Sequence, residues 1–538
     1  MTKVVISRGI YSKLQPPSST YTISPMSFSL LHYLALSLIS SILYLAIHSY
    51  TNRSRKPLPP GPRGLPLIGN LLDVPKSQEW LTYMEISRKY DSDIISLNLA
   101  GESVIVLNSL RAVDNLLEDK SAIYSDRPPF PMLNDLMGFN WHLAFMRYGP
   151  RWKDECYLFV DSSVINIFRT SQAELQAARQ LLLRLLDSPD KYERHLRHMA
   201  GMIILWTAYG IDVQLEDDPY IDISERAVKA MVSTANKGSF LVDSLPFLKY
   251  IREFFPGSGF KKQAREWSKV VTAMPNIPSK LIVKREVDGT ARSSIASRAL
   301  DRIEESSDGD DEERKLVLRN ILAACYAGAD TTVSALGSFM LAMTIYPEVQ
   351  KKGQAAVDEA VGRGRLPDFN DNIPYVDAIV REVLRWHPVL PLSVVHAVTE
   401  NDIYKGYHIP AGAAVIGNAW VILHDETTYG PRTDQFIPER WLMKEGKINR
   451  QMRDPSAAFG FGRCICPGKD MAEWSIWIAA ASILAVYNIS KRLDEKGMPI
   501  EPSEEYTSGM ACYPIPHECD ILPRSEEARV AIQDAVLD

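Results

Sequence analysis

The sequence predicts a mostly α-helical body with small β-sheets, preceded by a single N-terminal transmembrane helix. Three observations carry this. Residues 28–47, FSLLHYLALSLISSILYLAI, contain no Asp, Glu, Lys or Arg. From Trp80 onward apolar residues recur at helical spacing, and the longest such run, 315–346, is apolar nearly all round in its middle. Alternating or β-branched pieces are few and short, near 94–97, 103–107 and 413–416.

The N-terminal elements follow from composition. The 20 residues of 28–47 are long enough for a hydrocarbon core of ~30 Å. Arg53, Arg55 and Lys56 follow directly and favour a cytoplasmic body. No small-x-small cleavage site closes the span, so it reads as a retained anchor and not a signal peptide. Residues 1–27 form an N-terminal extension, and because Met26 opens a more conventional anchor, 1–25 read as a gene-model extension. Residues 48–70 form a basic and proline-rich hinge ending in PLPPGPRGLPLIGN, whose prolines end the membrane helix and stiffen the chain. The globular body then occupies 71–538.

That body is large for one compact domain and is expected as one lobed unit. Hydrophobic residues make up 46% and charged residues 23%, enough for a sizeable core. Lys and Arg number 60 against 66 Asp and Glu, a net charge of −6, so no nucleic-acid partner is expected. The six cysteines, 156, 325, 464, 466, 512 and 519, make no CxxC pair and read as reduced thiols facing the cytosol. The run 315–346 reads as a buried helix of roughly 48 Å stopped by Pro347. The acidic stretch before it, SSDGDDEER at 306–314, reads as a solvated loop.

The chemistry concentrates in FGFGRCICPG, 459–468. Gly460 and Gly462 let backbone approach a flat ligand closely. A long apolar helix follows, and Pro467 suits its first position, which places Cys466 at the N-cap. A sulfur there meets free N–H groups and the positive end of the helix dipole, which favours thiolate. Cys464 lies upstream in the turn, so Cys466 is the better metal ligand. Structural zinc or an iron–sulfur cluster would want more Cys or His at recognisable spacing. A single thiolate suits the axial position of a haem; a plain buried thiol is the alternative.

Three further segments decide between them. AGADTT at 327–332 sits in the long buried helix, EVLR gives Glu382 and Arg385, and FIPERW at 436–441 gives Arg440. With FGFGRCICPG, in this order, they resemble the signatures of the cytochrome P450 monooxygenases, and the style resembles microsomal enzymes of fungal secondary metabolism. The resemblance runs from about residue 57 to the C-terminus. It implies the cytochrome P450 fold and a haem b whose iron is axially ligated by the Cys466 thiolate. It also implies dioxygen as co-substrate, with one oxygen atom inserted into a largely apolar small molecule such as a terpenoid, polyketide or indole-type intermediate. Electrons would come from NADPH through a separate reductase chain, with cytochrome b5 as a second donor; no Gly-rich dinucleotide fingerprint follows a predicted strand here. The enzyme would sit in the endoplasmic reticulum membrane as a single-pass protein in contact with lipid, its catalytic domain facing the cytosol.

Site roles follow from the same resemblance. Asp330 and Thr331 would relay protons; an acid inside an apolar helix is costly without a purpose. Glu382 and Arg385, at i and i+3, would form a structural network with Arg440. Phe459 belongs to the haem loop. Phe130, Met132, Leu136, Met137, Phe139, Leu392, Val394 and Met510 would wall the substrate pocket. Two positions depart from the family pattern: Cys464 and Cys156 stand where arginines usually bind the haem propionates. Arg463, Trp152, His396 and Lys153 are then the residues left to hold them. A haem-thiolate isomerase or dehydratase, and a degenerate non-catalytic haem protein, are the competing readings.

Overall fold

The computed structural model describes residues 33, 35–40, 43, 56–160, 172–236, 238–305 and 311–535. It divides into two units, 1–57 and 58–538. In the first, 35–40 are helical. The extension 1–27 and most of the predicted anchor 28–47 lie outside the described residues. Among the described residues no helix is long and apolar enough to cross a membrane.

The second unit is mostly helical with small sheets. The helices that matter here are α1 (Glu79–Lys89), α2 (Pro150–Val160), α3 (Gln172–Asp187), α4 (Tyr192–Tyr209), α5 (Pro219–Val232), α6 (Gly259–Val287), α7 (Ile295–Glu305), α8 (Asp311–Ile345), α9 (Pro347–Val361), α10 (Pro374–Trp386), α11 (Lys469–Val486) and α12 (Glu526–Asp534). Their ends follow local chemistry. Asp218 caps α5 through Tyr220 N and Ile221 N, and Pro219, Pro347 and Pro374 occupy first-turn positions where a missing N–H costs nothing. Gly210 closes α4 at φ 62°.

Strands β1 (Ile94–Leu99) and β2 (Glu102–Leu107) form a hairpin; β6 (Ala414–Gly417) runs parallel to β2, and β3 (His396–Ala397) pairs with β6. The three predicted strands are these β1, β2 and β6, within one or two residues. Two-stranded sheets, β4 (Asp402–Tyr404) with β5 (Tyr407–Ile409) and β7 (Tyr487–Lys491) with β8 (Cys519–Pro523), complete the set. The proline-rich segment read as a hinge is docked from Pro59 onward. Ser96 N donates to Pro60 O at 2.9 Å, and a Cβ on Gly61 would lie 1.9 Å from Ser96 O, so only glycine fits there.

α8 organises the unit. It starts four residues earlier than expected, at Asp311, because Asp311, Glu312 and Glu313 fill its first turn, where negative charge opposes the helix dipole. Its first half (Leu318, Leu322, Tyr326) belongs to one hydrophobic core and its second half (Leu336, Phe339, Met340, Met343) to another. The segment from Gly328 to Thr331 falls at the seam. α4 packs along α8, and α11 touches α3, α8, α9 and α10.

A polar network is buried on the far side of α10. The Glu382 carboxylate accepts from Arg385 Nε and Nη2 at 2.9 Å each, from Arg440 Nε at 3.0 Å, and from Ile437 N and Trp441 Nε1 at 2.9 Å. Glu382 and Arg385 are fully buried. Both guanidinium groups spend their remaining donors on main-chain carbonyls, Arg385 on Leu423, Thr433 and Gln435, Arg440 on Tyr429 and Arg432. One turn earlier on α10, Arg381 Nη1 bonds Asp454 at 2.7 Å, and Asp454 bonds Lys469, the first residue of α11, at 3.0 Å. Removing one partner of such a buried set strands the others. Glu382→Ala is expected to cost about 3–5 kcal/mol, read as a lower urea midpoint with unchanged slope; a loss under about 1 kcal/mol, the surface-pair range, would contradict the burial argument.

Candidate active site

The seam in α8 faces the loop that precedes α11 across one internal cavity. Gly328, Ala329, Thr331 and Thr332 border it from α8; Phe459, Gly460, Cys464, Ile465, Cys466 and Gly468 border it from the loop. The loop is shaped by Gly460 at φ 90° and Gly462 at φ 58°, and is closed by Cys466 N donating to Phe459 O at 2.8 Å. A Cβ on Gly462 would stand 2.1 Å from Leu117 O, so the loop can lie this close to its neighbour only with glycine there.

Cys466 is not the N-cap that the sequence suggests. α11 begins at Lys469, with Gly468 capping it, because Pro467 takes a turn position and not the first helical one. Burial pushes the Cys466 thiol up from its ordinary pKa, and the Gly468 N–H only partly opposes this. Without an N-cap position this sulfur loses the helix-dipole stabilisation expected for it, and a bound cation would be what favours its ionised form. Its accessible surface is high even though it lies deep in the protein, because that surface faces the cavity. Cys464, partly exposed, turns its sulfur to Ser125 O at 3.4 Å.

On α8 the Thr331 hydroxyl donates to Gly328 O at 2.7 Å, and a Cβ on Gly328 would meet nothing within 4 Å. Asp330 turns away from the cavity. Its Oδ1 accepts from Arg197 Nη1 at 2.8 Å and its Oδ2 from the Tyr513 hydroxyl. The acid and the alcohol are thus neighbours in sequence with different surroundings.

The residues expected to hold carboxylates separate. Arg463 is exposed and donates to the Tyr148 hydroxyl at 2.9 Å, away from the cavity; Lys153 lies over the Tyr148 ring. Trp152 borders the cavity, but its indole N–H is taken by Leu143 O at 3.2 Å. His396 borders it too, with Nδ1 bonded to Tyr124 O at 2.8 Å; burial and then Arg127 push its pKa down to about 3, so the ring is neutral. The sequence reading missed Arg127. It is 4% exposed, borders the cavity beside Cys464 and His396, and bonds Val394 O and Val395 O through Nη1 at 2.8 and 2.9 Å. Its Nε has no partner among the described residues, and the adjacent Asp126 is occupied by Arg147 and Tyr148 N. His142 also borders the cavity; Nδ1 accepts from Ala144 N at 3.2 Å, which leaves a buried Nε2–H without a partner among the described residues.

Of the expected substrate wall, Val394 and Met510 border the cavity. Phe130, Met132, Met137, Phe139 and Leu392 are buried in the adjoining core, with Leu136 packed against it. Phe130 stands one layer back, edge-on to Phe145, which is the residue that reaches the cavity. Met231 and Val232 of α5 and Tyr513 supply further wall.

These features fit a haem. A thiol borders the cavity at one place, a buried guanidinium with an unused Nε–H at another, and glycines at 328 and 460 leave the room a flat macrocycle needs. The sequence profile of the cytochrome P450 family matches residues 59–515. The chain is 44% identical over 485 residues to a cytochrome P450 monooxygenase of Armillaria gallica, covering 89% of this chain and 94% of that one. It is 40% identical over 497 residues to tryptamine 4-monooxygenase of Psilocybe cyanescens, covering 91% and 97%. A cytochrome P450 monooxygenase of Ampulloclitocybe clavipes is 38% identical over 509 residues, covering 93% and 92%.

Two outcomes follow. Arg127→Leu removes a charge-assisted bond of about 1.5–3 kcal/mol, so haem affinity in titrations of the cofactor-free chain is expected to fall tenfold or more, whereas Arg463→Leu leaves it unchanged. His142 and His396 are held neutral with pKa values pushed by burial to about 4 and about 3. Unfolding frees both to bind protons near pH ~6.5. Stability is thus full above that pH and is lost as pH falls toward 4. The urea midpoint should drop between pH 7 and pH 5, and His142→Phe should flatten that slope.

Proposed function

The chain belongs to the cytochrome P450 family and is a monooxygenase of the fungal secondary-metabolism type, and from this premise we propose that Cys466 ligates a haem b and that the cavity takes a largely apolar metabolic intermediate. The observation that carries the reading is the Cys466 thiol facing Gly328 and Thr331 across the same cavity.

When bound, the haem would supply the reductive activation of dioxygen that the family shares. The chain's own residues would do the rest. Cys466 would give its proton up on meeting the metal and hold it through sulfur. Arg127 would pair with a carboxylate of the macrocycle, and neutral His396 would accept or share a proton there. Phe145, Met231, Val232, Val394 and Met510 would keep water out and orient an apolar substrate. Thr331, pinned to Gly328 O, would present its hydroxyl to the reacting oxygen, with Asp330 behind it as the acid.

The finer reading adds a separate NADPH-dependent reductase, with cytochrome b5 as a second electron donor, and a single-pass anchor in the endoplasmic reticulum membrane. Terpenoid, polyketide and indole-type molecules are the substrate classes to test. The tryptamine 4-monooxygenase relative supports the indole class, and the apolar wall supports all three.

The carbon monoxide complex of the reduced protein is expected to show the strongly red-shifted Soret band of thiolate ligation. Cys466→Ala should abolish that band and Cys464→Ala should leave it. A chain that takes up haem yet lacks the band would remove the ligand assignment. Co-expression with a reductase and a panel of the three substrate classes would then test the substrate reading, with product formation dependent on NADPH and oxygen.

A further inference from the structure

Asp330 has no opening of its own onto the cavity: Gly328, Ala329, Thr331 and Thr332 border it, and Asp330 between them points elsewhere. Its two oxygens have opposite surroundings. Oδ1 is held by Arg197 of α4, whose Nε lies 3.9 Å from Glu225 of α5, and these two side chains are 34% and 42% exposed. Oδ2 is held by the Tyr513 hydroxyl, and Tyr513 borders the cavity. The carboxylate therefore has a solvent side and a cavity side. A guanidinium does not give up protons in proteins, so Arg197 can orient the acid without relaying. A phenol both donates and accepts, and burial beside Asp330 keeps Tyr513 protonated well beyond the physiological range.

We propose that the Tyr513 hydroxyl passes protons from Asp330 to an acceptor oxygen in the cavity. This rests on the reading that Asp330 is the acid of the oxygen chemistry. In the step, Asp330 has taken a proton from the solvent side. It gives that proton to Tyr513 Oη as Tyr513 gives its own hydroxyl proton to the acceptor. One proton enters and one leaves, the phenol is re-formed, the carboxylate is regained, and no electron moves. The observed arrangement, with the phenol donating to the carboxylate, is the state after delivery.

The contact could instead only pin the C-terminal loop to α8. A second pin separates the two ideas: Ser334 Oγ of α8 donates to Cys512 O at 2.5 Å, on the residue next to Tyr513, and does not touch Asp330. The test uses the haem-loaded enzyme with a cytochrome P450 reductase, NADPH and oxygen, and no organic substrate. The readouts are the fraction of consumed oxygen released as hydrogen peroxide, its change in heavy water, and, in the resting protein, the infrared band of the Asp330 carboxylate. Tyr513→Phe and Asp330→Asn should each raise the peroxide fraction severalfold and alter the isotope effect. Tyr513→Phe should also shift the carboxylate band, through the lost hydrogen bond, while Ser334→Ala behaves like wild type. If Asp330→Asn changes the partition and Tyr513→Phe does not, the relay is overturned and the acid role of Asp330 stands. If neither changes it, both fall. If Ser334→Ala matches Tyr513→Phe, the hydroxyl is only a pin and the relay is overturned.

Discussion

The structure depends on one fully buried carboxylate. Glu382 accepts five hydrogen bonds from four residues, two of them cationic. An ion buried this deeply is tolerable only when every lone pair is occupied. That demand is geometric as well as energetic. It fixes Arg440 and Trp441 against α10, and through Arg385 it holds the carbonyls of residues 423, 433 and 435. From the residue next to Glu382, the chain Arg381–Asp454–Lys469 carries the same rigidity to the first residue of α11, directly after the loop that presents Cys466. A loop rich in glycine has little stiffness of its own. Here its end is held by a helix whose other face is locked by Glu382.

The second constraint is the seam in α8. A 35-residue helix spanning two hydrophobic cores would ordinarily be apolar throughout. Beyond its first turn the helix carries one carboxylate, Asp330, and this stands where the cores part and the helix meets the cavity. Gly328 leaves space, Thr331 satisfies its hydroxyl on the preceding turn, and Asp330 is paid for by partners on α4 and the C-terminal loop. That loop is drawn onto α8 by Tyr513, by Ser334 to Cys512 O, and by Tyr506 to Ser338 at 2.9 Å. The same ties that satisfy an awkward acid therefore also place Met510 and Tyr513 in the cavity wall.

What could be read from the residues was what local pattern encodes. Glu382 and Arg385 share a helix face by spacing, the glycines and cysteine of the loop stand together, and β1, β2 and β6 show in their alternation. What could not be read depends on long-range approach. Arg127 lies between an aspartate and a proline in a loop with no periodic cue, and only the fold sets it beside Cys464 and His396. Tyr513 and Asp330 are 183 positions apart. Trp441 closes the FIPERW segment, and its indole N–H finds Glu382 only through the fold. Arg463 is next to Cys464 in sequence, but the turn sends it outward to the Tyr148 hydroxyl. The cap at Cys466 failed for a local reason: proline is compatible with the turn before a helix as well as with its first residue, and here the turn prevails.

Cys464, one of the two cysteines in place of expected arginines, follows the same electrostatic logic. The cavity holds a buried cation at Arg127 and a thiol at Cys466 that resists ionising. The buried cation is unfavourable alone, and so would the ionised sulfur be. A ligand with an anionic edge and a cationic centre satisfies both at once, so its binding free energy is added to folding. An arginine at 464, on the cavity wall beside Arg127, would add like-charge repulsion there. A cysteine at 464 leaves the Arg127 guanidinium, with its unused Nε–H, free of that repulsion. On the proposed reading, anchoring at the propionate edge would rest on Arg127, whose burial cost would be met only with the cofactor in place.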